Sequence, residues 1–152
     1  MCRYKRIRKR LKGAPPEEVY RLKKEVLGEL ETFSENGWLD LYYGDESGVS
    51  SEPCVAYGRQ FSDERVSMPT AKGTGINCFG LFTRSNQSVV ALSENSIKAE
   101  FVVEQLERLS FSIKKITVVV LDNARIDTGG RMRERIKYWE ARGLSIFYLP
   151  TY

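Results

Sequence analysis

The 152 residues contain no histidine. That removes imidazole as a general base and as a metal ligand, which argues against His-based catalytic triads and Cys/His zinc sites. Cysteine is scarce as well. Cys2, Cys54 and Cys78 are odd in number and widely spaced, as expected of reduced thiols rather than a disulfide framework. No apolar run approaches the roughly 20 residues of a membrane-spanning helix. No apolar core follows the first residues, as a secretory signal would need. Internal repeats and low-complexity tracts are missing too. These absences lead to the expectation of a cytoplasmic protein with no membrane partner.

What is present is unevenly charged. Lys and Arg number 24 against 20 Asp and Glu, a net charge of +4. Seven of those bases (Arg3, Lys5, Arg6, Arg8, Lys9, Arg10 and Lys12) fall in the first 12 residues, which hold no acid. The other 140 residues carry 17 bases and 20 acids, a net of −3. The chain thus reads as a slightly acidic globular body with a basic leader. A hydrophobic content of 41% suffices for a core, and the length suits one domain.

Residues 1–14 read as a solvated basic arm. Pro15 and Pro16, followed by Glu17 and Glu18, suit a helix start. Val19, Leu22, Val26, Leu30 and Phe33 recur at helical spacing as one apolar stripe, and Asn36-Gly37 is a stop signal. That stripe serves either a helix packed on its own domain or a coupling helix, over 15–36, to something N-terminal. From Trp38 the period becomes two. Residues 38–45 read as a strand closed by Asp45, with Leu39, Leu41, Tyr43 and Asp45 on one face. Weaker strand signals at 54–60 and 64–68 surround a polar loop. Residues 71–75 form a turn, and strands follow from Ile76 to Thr83 and from Val89 to Leu92. This reads as an antiparallel meander.

Ser96 is a candidate cap for the next helix, whose buried face is Ala99, Val102, Val103, Leu106 and Leu109. Ile116 to Leu121 is a continuous β-branched run, typical of a central parallel strand covered on both faces, and Asp122 closes it. Thr128-Gly129-Gly130 leads into a third helix with Met132, Ile136 and Trp139 inward. Gly143 ends it before a last strand, 144–149. A meander followed by β-α-β crossovers predicts an α/β fold with a mixed sheet flanked by helices.

Two acids occupy equivalent places. If the strands ending at Asp45 and Asp122 are parallel neighbours, both carboxylates emerge at the same edge of the sheet, where ligands collect in open α/β folds. Like charges there repel unless a cation intervenes. Hard oxygen donors without His or Cys suit Mg²⁺ or Mn²⁺, and the chemistry implied is metal-assisted phosphoryl transfer. An Asp after a hydrophobic strand also serves as an ordinary turn residue. Glu46 and Asn123 are candidates for a supporting role or for plain loop positions. Gly73-Thr74-Gly75 lacks the Gly-Lys-Ser/Thr ending of a phosphate loop and reads as a hairpin turn. The leader could neutralise about half a dozen phosphates in a salt-dependent, sequence-independent way. Arg131, Arg133 and Arg135 either hold a nucleic-acid backbone or form a solvated helix face; Lys72 and Lys98 are equally ambiguous.

Five segments occur in order: Tyr-Tyr-Gly-Asp-Glu-Ser-Gly (42–48), Pro-Cys-Val-Ala-Tyr-Gly (53–58), Ala-Lys-Gly (71–73), Val-Val-Val-Leu-Asp-Asn-Ala (118–124) and Phe-Tyr-Leu-Pro-Thr-Tyr (147–152). Together they resemble the catalytic domain of bacterial insertion-sequence transposases of the mariner-like DDE group, over nearly the whole chain. The resemblance implies an RNase H-like, retroviral-integrase-like fold with a mixed five-stranded sheet over 37–152, preceded by the arm and coupling helix. It implies three acidic ligands for Mg²⁺ or Mn²⁺, of which Asp45 matches the first and Asp122 the second. It also implies DNA (transposon ends and target) as partner, a homodimer or partner transposase chain, and association with the nucleoid when on DNA. The family's Tyr-Leu-Pro-x-Tyr segment continues into Ser-Pro-x-x-Asn-Pro-Ile-Glu, whose Glu is the third acid. The sequence stops at Tyr152, before that position, so a truncated, weak or inactive enzyme is expected. Asp127 stands where the family has His, and Arg59 where it has Trp. The alternative is a non-catalytic DNA-binding or dimerising remnant, in which the leader and the first helix carry the function.

Overall fold

The computed structural model describes residues 16–51, 73–122 and 130–150. The element order is α1 (Glu17–Glu35), β1 (Asp40–Ser50), β2 (Gly75–Phe82), β3 (Ser88–Ser93), α2 (Ala99–Ser112), β4 (Thr117–Leu121), α3 (Gly130–Arg142) and β5 (Leu144–Tyr148). The five strands form one sheet in the order β3-β2-β1-β4-β5. β1 runs antiparallel to β2 and parallel to β4, β2 and β3 are antiparallel, and β4 and β5 are parallel. The expected meander and crossovers are both present.

The β-branched run produces the centre of the fold. All five residues of β4 are buried, which fits a strand flanked by β1 and β5 and covered on both faces. Ile116 lies outside it, 62% exposed. On one face Phe79, Leu81, Val119 and Leu121 pack against Val102, Leu106 and Leu109 of α2 and Met132 and Trp139 of α3. On the other face Leu39, Leu41, Val118 and Val120 meet Leu27 and Leu30 of α1.

Three local expectations need correction. β1 does not close at Asp45. It runs on to Ser50, because β2 pairs with it continuously from Tyr43 to Ser50. Ser96 does not cap α2. The N-cap is Lys98 in extended conformation, whose carbonyl accepts the Phe101 N–H at 2.9 Å. And α1 sets only part of the apolar stripe against the sheet: Leu30, with Leu27 beside it, packs there and Val26 is half-buried, whereas Val19, Leu22 and Phe33 are exposed, Leu22 by 61%. The reason is polar. Lys23 Nζ donates to the Tyr148 carbonyl at 2.5 Å, and Glu31 Oε1 accepts from Tyr43 Oη at 2.6 Å and from Arg84 at 2.5 Å. Those contacts fix which side of the helix meets the sheet. Gly37 and Gly143, at φ 76° and 93°, turn the chain after α1 and α3.

Candidate active site at the carboxyl edge of the sheet

The parallel ladder between β1 and β4 aligns Leu41 with Val118, Tyr43 with Val120 and Gly44 with Leu121. The ladder ends there, and Asp45 and Asp122 are the next residues of the two chain segments. Alternation carries the geometry further. Leu41 and Val118, Tyr43 and Val120 face α1, so Asp45, within β1, falls on that same face, and Asp122 follows β4 at the carboxyl end of the parallel pair. Both are exposed.

The neighbours of Asp45 explain why the edge can be built. Gly44 points to the other face, where an added Cβ would lie 2.5 Å from Leu121 Cδ2, 3.1 Å from Leu81 Cδ2 and 3.3 Å from Phe79 Cζ. Only glycine lets the strands close at this level. On the β2 side Asp45 is opposite Gly80, so no side chain crowds it directly. The Phe82 ring leans over Gly80 instead, in contact with the place a Cβ would take. One Asp45 carboxylate oxygen accepts the Glu46 N–H at 2.8 Å.

Strand alternation puts Glu46 on the opposite face from Asp45. Partial desolvation first, and the Asp45 charge second, raise the Glu46 carboxyl above its ordinary value. Arg131 and Arg133 fall in the first turn of α3, which contains no acid, and Arg133 is exposed. Arg3, Lys5, Arg6, Arg8, Lys9, Arg10 and Lys12 lie outside the described residues, as do Asn123 and Asp127. So do the weak strand signals at 54–60 and 64–68, and Arg59 and Lys72.

Sequence reasoning missed the polar latch behind Asp45. Tyr43, two residues earlier on the same face, donates to Glu31 of α1, and Arg84 bridges Glu31 and Glu35 from the β2–β3 turn. Burial, and then the Glu31 hydrogen bond, push the Tyr43 hydroxyl up to about 12. A hydroxyl two residues from the acid was the available signal; nothing local pointed to its partner 12 residues away.

Among the described residues no group of three or more His, Cys, Asp or Glu is gathered to hold a metal ion. The paired aspartates fit a hard divalent cation that keeps part of its water shell, for which two carboxylate donors suffice. Among the described residues, too, no helix is long and apolar enough to cross a membrane.

Residues 40–152 match the family described as DDE superfamily endonuclease. The fold is similar to that of the Mos1 transposase paired-end complex with left transposon end, with TM-score 0.56 and 15% identity, covering 98% of this chain and 47% of that one. It is also similar to the mariner Mos1 paired-end complex with Mg, with TM-score 0.54 and 13% identity over 99% of this chain and 48% of that one. The catalytic domain of Mos1 mariner transposase gives TM-score 0.50 and 14% identity over 93% of this chain and 64% of that one. At such identities the likeness is one of fold, the RNase H-like arrangement of a mixed five-stranded sheet flanked by helices. The chain spans about half the length of the Mos1 chains in those complexes. Comparison with curated proteins gives no match.

Proposed function

Because the chain belongs to the DDE superfamily of endonucleases, we propose that it is the catalytic domain of a DNA transposase, cleaving and joining strands by in-line attack on phosphodiester bonds. The observation that supports this reading is the parallel register of β1 and β4, whose last aligned pair, Gly44 and Leu121, immediately precedes Asp45 and Asp122.

Asp45 and Asp122 would hold Mg²⁺ or Mn²⁺. Mos1 structures contain both metals. Bound there, a divalent ion supplies positive charge for the attacking and leaving oxygens of the displacement. The chain's own residues do the rest. The Glu46 N–H orients the Asp45 carboxylate, and Gly44 lets β1 and β4 close beneath it. Gly80 leaves the β2 side of Asp45 without a side chain. Arg131 and Arg133, at the N-terminal end of α3, suit an anionic backbone, since a cation at that helix end is disfavoured unless an anion accompanies it. The leader's seven bases add sequence-independent attraction to DNA. Asn123 and Asp127 would support the metal ligands from outside, whereas the Glu46 side chain, on the opposite face from Asp45, contributes only its backbone N–H.

Asp45 and Asp122 match two of the three carboxylates that the resemblance implies, so metal binding is measured beside cleavage. The test therefore has two readouts. Mn²⁺ binding, followed by electron paramagnetic resonance, should fall at least about tenfold in Asp45→Asn and in Asp122→Asn, each of which removes one of two charged donors. Nicking of supercoiled plasmid in Mg²⁺ should fall in both variants. Mn²⁺ affinity unchanged in both would overturn the assignment. DNA binding retained without any metal binding would favour a non-catalytic transposase remnant.

A further inference from the structure

Asp45 is held almost entirely through its own strand. As far as Gly44, β1 pairs with β4, but among the described residues the segment from Asp45 to Ser50 pairs with β2 alone. A segment with one neighbour is freer to twist than a strand held on both sides. The residue opposite Asp45 on β2 is Gly80, which offers no side chain. Among the described residues the Asp45 carboxylate has one hydrogen bond, from the Glu46 N–H at 2.8 Å. Its position is therefore inherited from the residues just before it.

Those residues are pinned from both faces. Gly44 is confined on one face by Leu121 and Leu81. Tyr43 lies on the face of Asp45, two residues earlier and about 7 Å back along the strand. It packs against Leu39, Leu41, Val118 and Val120 under α1. Its hydroxyl donates to Glu31 Oε1 at 2.6 Å, and Arg84 donates to the same oxygen at 2.5 Å. Arg84 also reaches Glu35 at 3.8 Å. The Tyr43 hydroxyl thus ties β1 to α1 and to the β2–β3 turn, one residue before the ladder with β4 ends. A rotation of β1 about its own axis would swing Asp45 sideways, and on that face the Tyr43–Glu31 bond opposes it.

We propose that Tyr43, held by Glu31, is a positioning residue: it sets the rotation of β1 and so aims the Asp45 carboxylate at the divalent ion. The inference rests on the metal-binding reading of Asp45 given above. The demand is geometric. Ligand distances at a metal site tolerate an error of only about 0.2 Å. A carboxylate with a single hydrogen bond to the next residue has no contact of its own that would correct a misplaced strand. Packing alone does not fix the angle, because apolar contact is non-directional whereas a hydrogen bond is not. Helix α1 thereby belongs to the site without supplying a ligand.

The experiment is a double-mutant cycle read by Mn²⁺ affinity and by the electron paramagnetic resonance spectrum of the bound ion. Tyr43→Phe keeps the ring and should weaken Mn²⁺ binding about three- to tenfold, at or below the lower end of what supporting contacts contribute at metal sites. Glu31→Ala should do the same, and the two together should cost no more than either alone. Glu31→Gln keeps an acceptor for the hydroxyl and should bind nearly as the wild type does. The Mn²⁺ lines should broaden in Tyr43→Phe, as the ligand geometry becomes less uniform. Glu107→Ala, which loosens the layer on the other side of the sheet, should change neither affinity nor spectrum. Affinity that falls in Asp45→Asn but not in Tyr43→Phe overturns the positioning role and leaves the metal reading standing. Affinity unchanged in Asp45→Asn removes that reading, and this role with it. Additive losses in the cycle, or an equal loss in Glu107→Ala, overturn the positioning role as well.

Discussion

Gly44 and Leu121 are the last aligned pair of the parallel ladder between β1 and β4, and a Cβ on Gly44 would lie 2.5 Å from Leu121 Cδ2. The absence of one methyl group lets the two strands close immediately before Asp45 and Asp122. Gly44→Val should therefore destabilise the fold by about 2 kcal/mol through overpacking. It should also weaken Mn²⁺ binding although both aspartates remain. Urea unfolding and a metal titration check the two effects. An unchanged midpoint with unchanged Mn²⁺ affinity would show that the close approach is unimportant.

Trp139 offers a second test. Its indole is fully buried and donates to Glu107 Oε2 at 2.7 Å, while Arg142 donates to Oε1 at 2.9 Å. Glu107→Ala leaves the buried N–H without its acceptor, at a cost of about 2 kcal/mol. The Arg142 hydrogen bond first, and the Trp139 hydrogen bond with it, hold the Glu107 carboxyl below its ordinary 4.5. A depressed carboxyl stabilises the fold above its unfolded value, and that contribution fades as pH falls through and below 4.5. Trp139 fluorescence during acid titration should show the loss in the wild type and a smaller one in Glu107→Ala.

The latch between α1 and β1 predicts the opposite pH behaviour. Tyr43 has its hydroxyl raised from 10.0 to about 12 by burial and then by Glu31. A raised value means that the folded state keeps a proton the unfolded state has lost. The stabilisation is complete below 10.0 and disappears as pH rises towards 12. Tyr43→Phe should flatten the alkaline decline in melting temperature over that window. A decline identical in both proteins would show that the Tyr43–Glu31 bond contributes nothing to it.

The leader can be weighed by salt. If its seven bases meet DNA backbone, removal of residues 1–12 should reduce the slope of log K against log salt by up to about 6, since each neutralised phosphate contributes about 0.9. Fluorescence anisotropy with a random-sequence duplex provides the measurement. Slopes that agree with and without the leader would refute its role in binding.

Much of the sheet was legible in the sequence, for identifiable reasons. Val118, Val119 and Val120 sit in an unbroken β-branched run, which only a strand covered on both faces tolerates, and β4 is that strand. Met132 and Trp139 recur at helical spacing and are fully buried in α3. Each of the five strands shows a period or an apolar run in the sequence, whereas the five-stranded sheet was what the family resemblance implied and the parallel relation of β1 to β4 stood only as a condition. Helix α1 shows the limit. Of its apolar stripe Leu30 packs on the sheet and Val26 is half-buried, but Val19, Leu22 and Phe33 are exposed, while Lys23 and Glu31 hold partners on β5, β1 and the β2–β3 turn. Hydrophobic periodicity contains no information about those partners.

The same division applies to the acidic edge. The sequence by itself determined that Asp45 and Asp122 follow hydrophobic strands, that no histidine accompanies them, and that the excess positive charge is confined to the leader. These are properties of composition and local period, which survive in any conformation. Tertiary structure alone decided that Asp45 lies in mid-strand rather than at a strand end, and that Gly44 is required by Leu121. It also decided that Lys23 of α1 meets the Tyr148 carbonyl at β5. Each of these depends on a contact between residues distant in the chain, and such contacts exist only once the strands have paired.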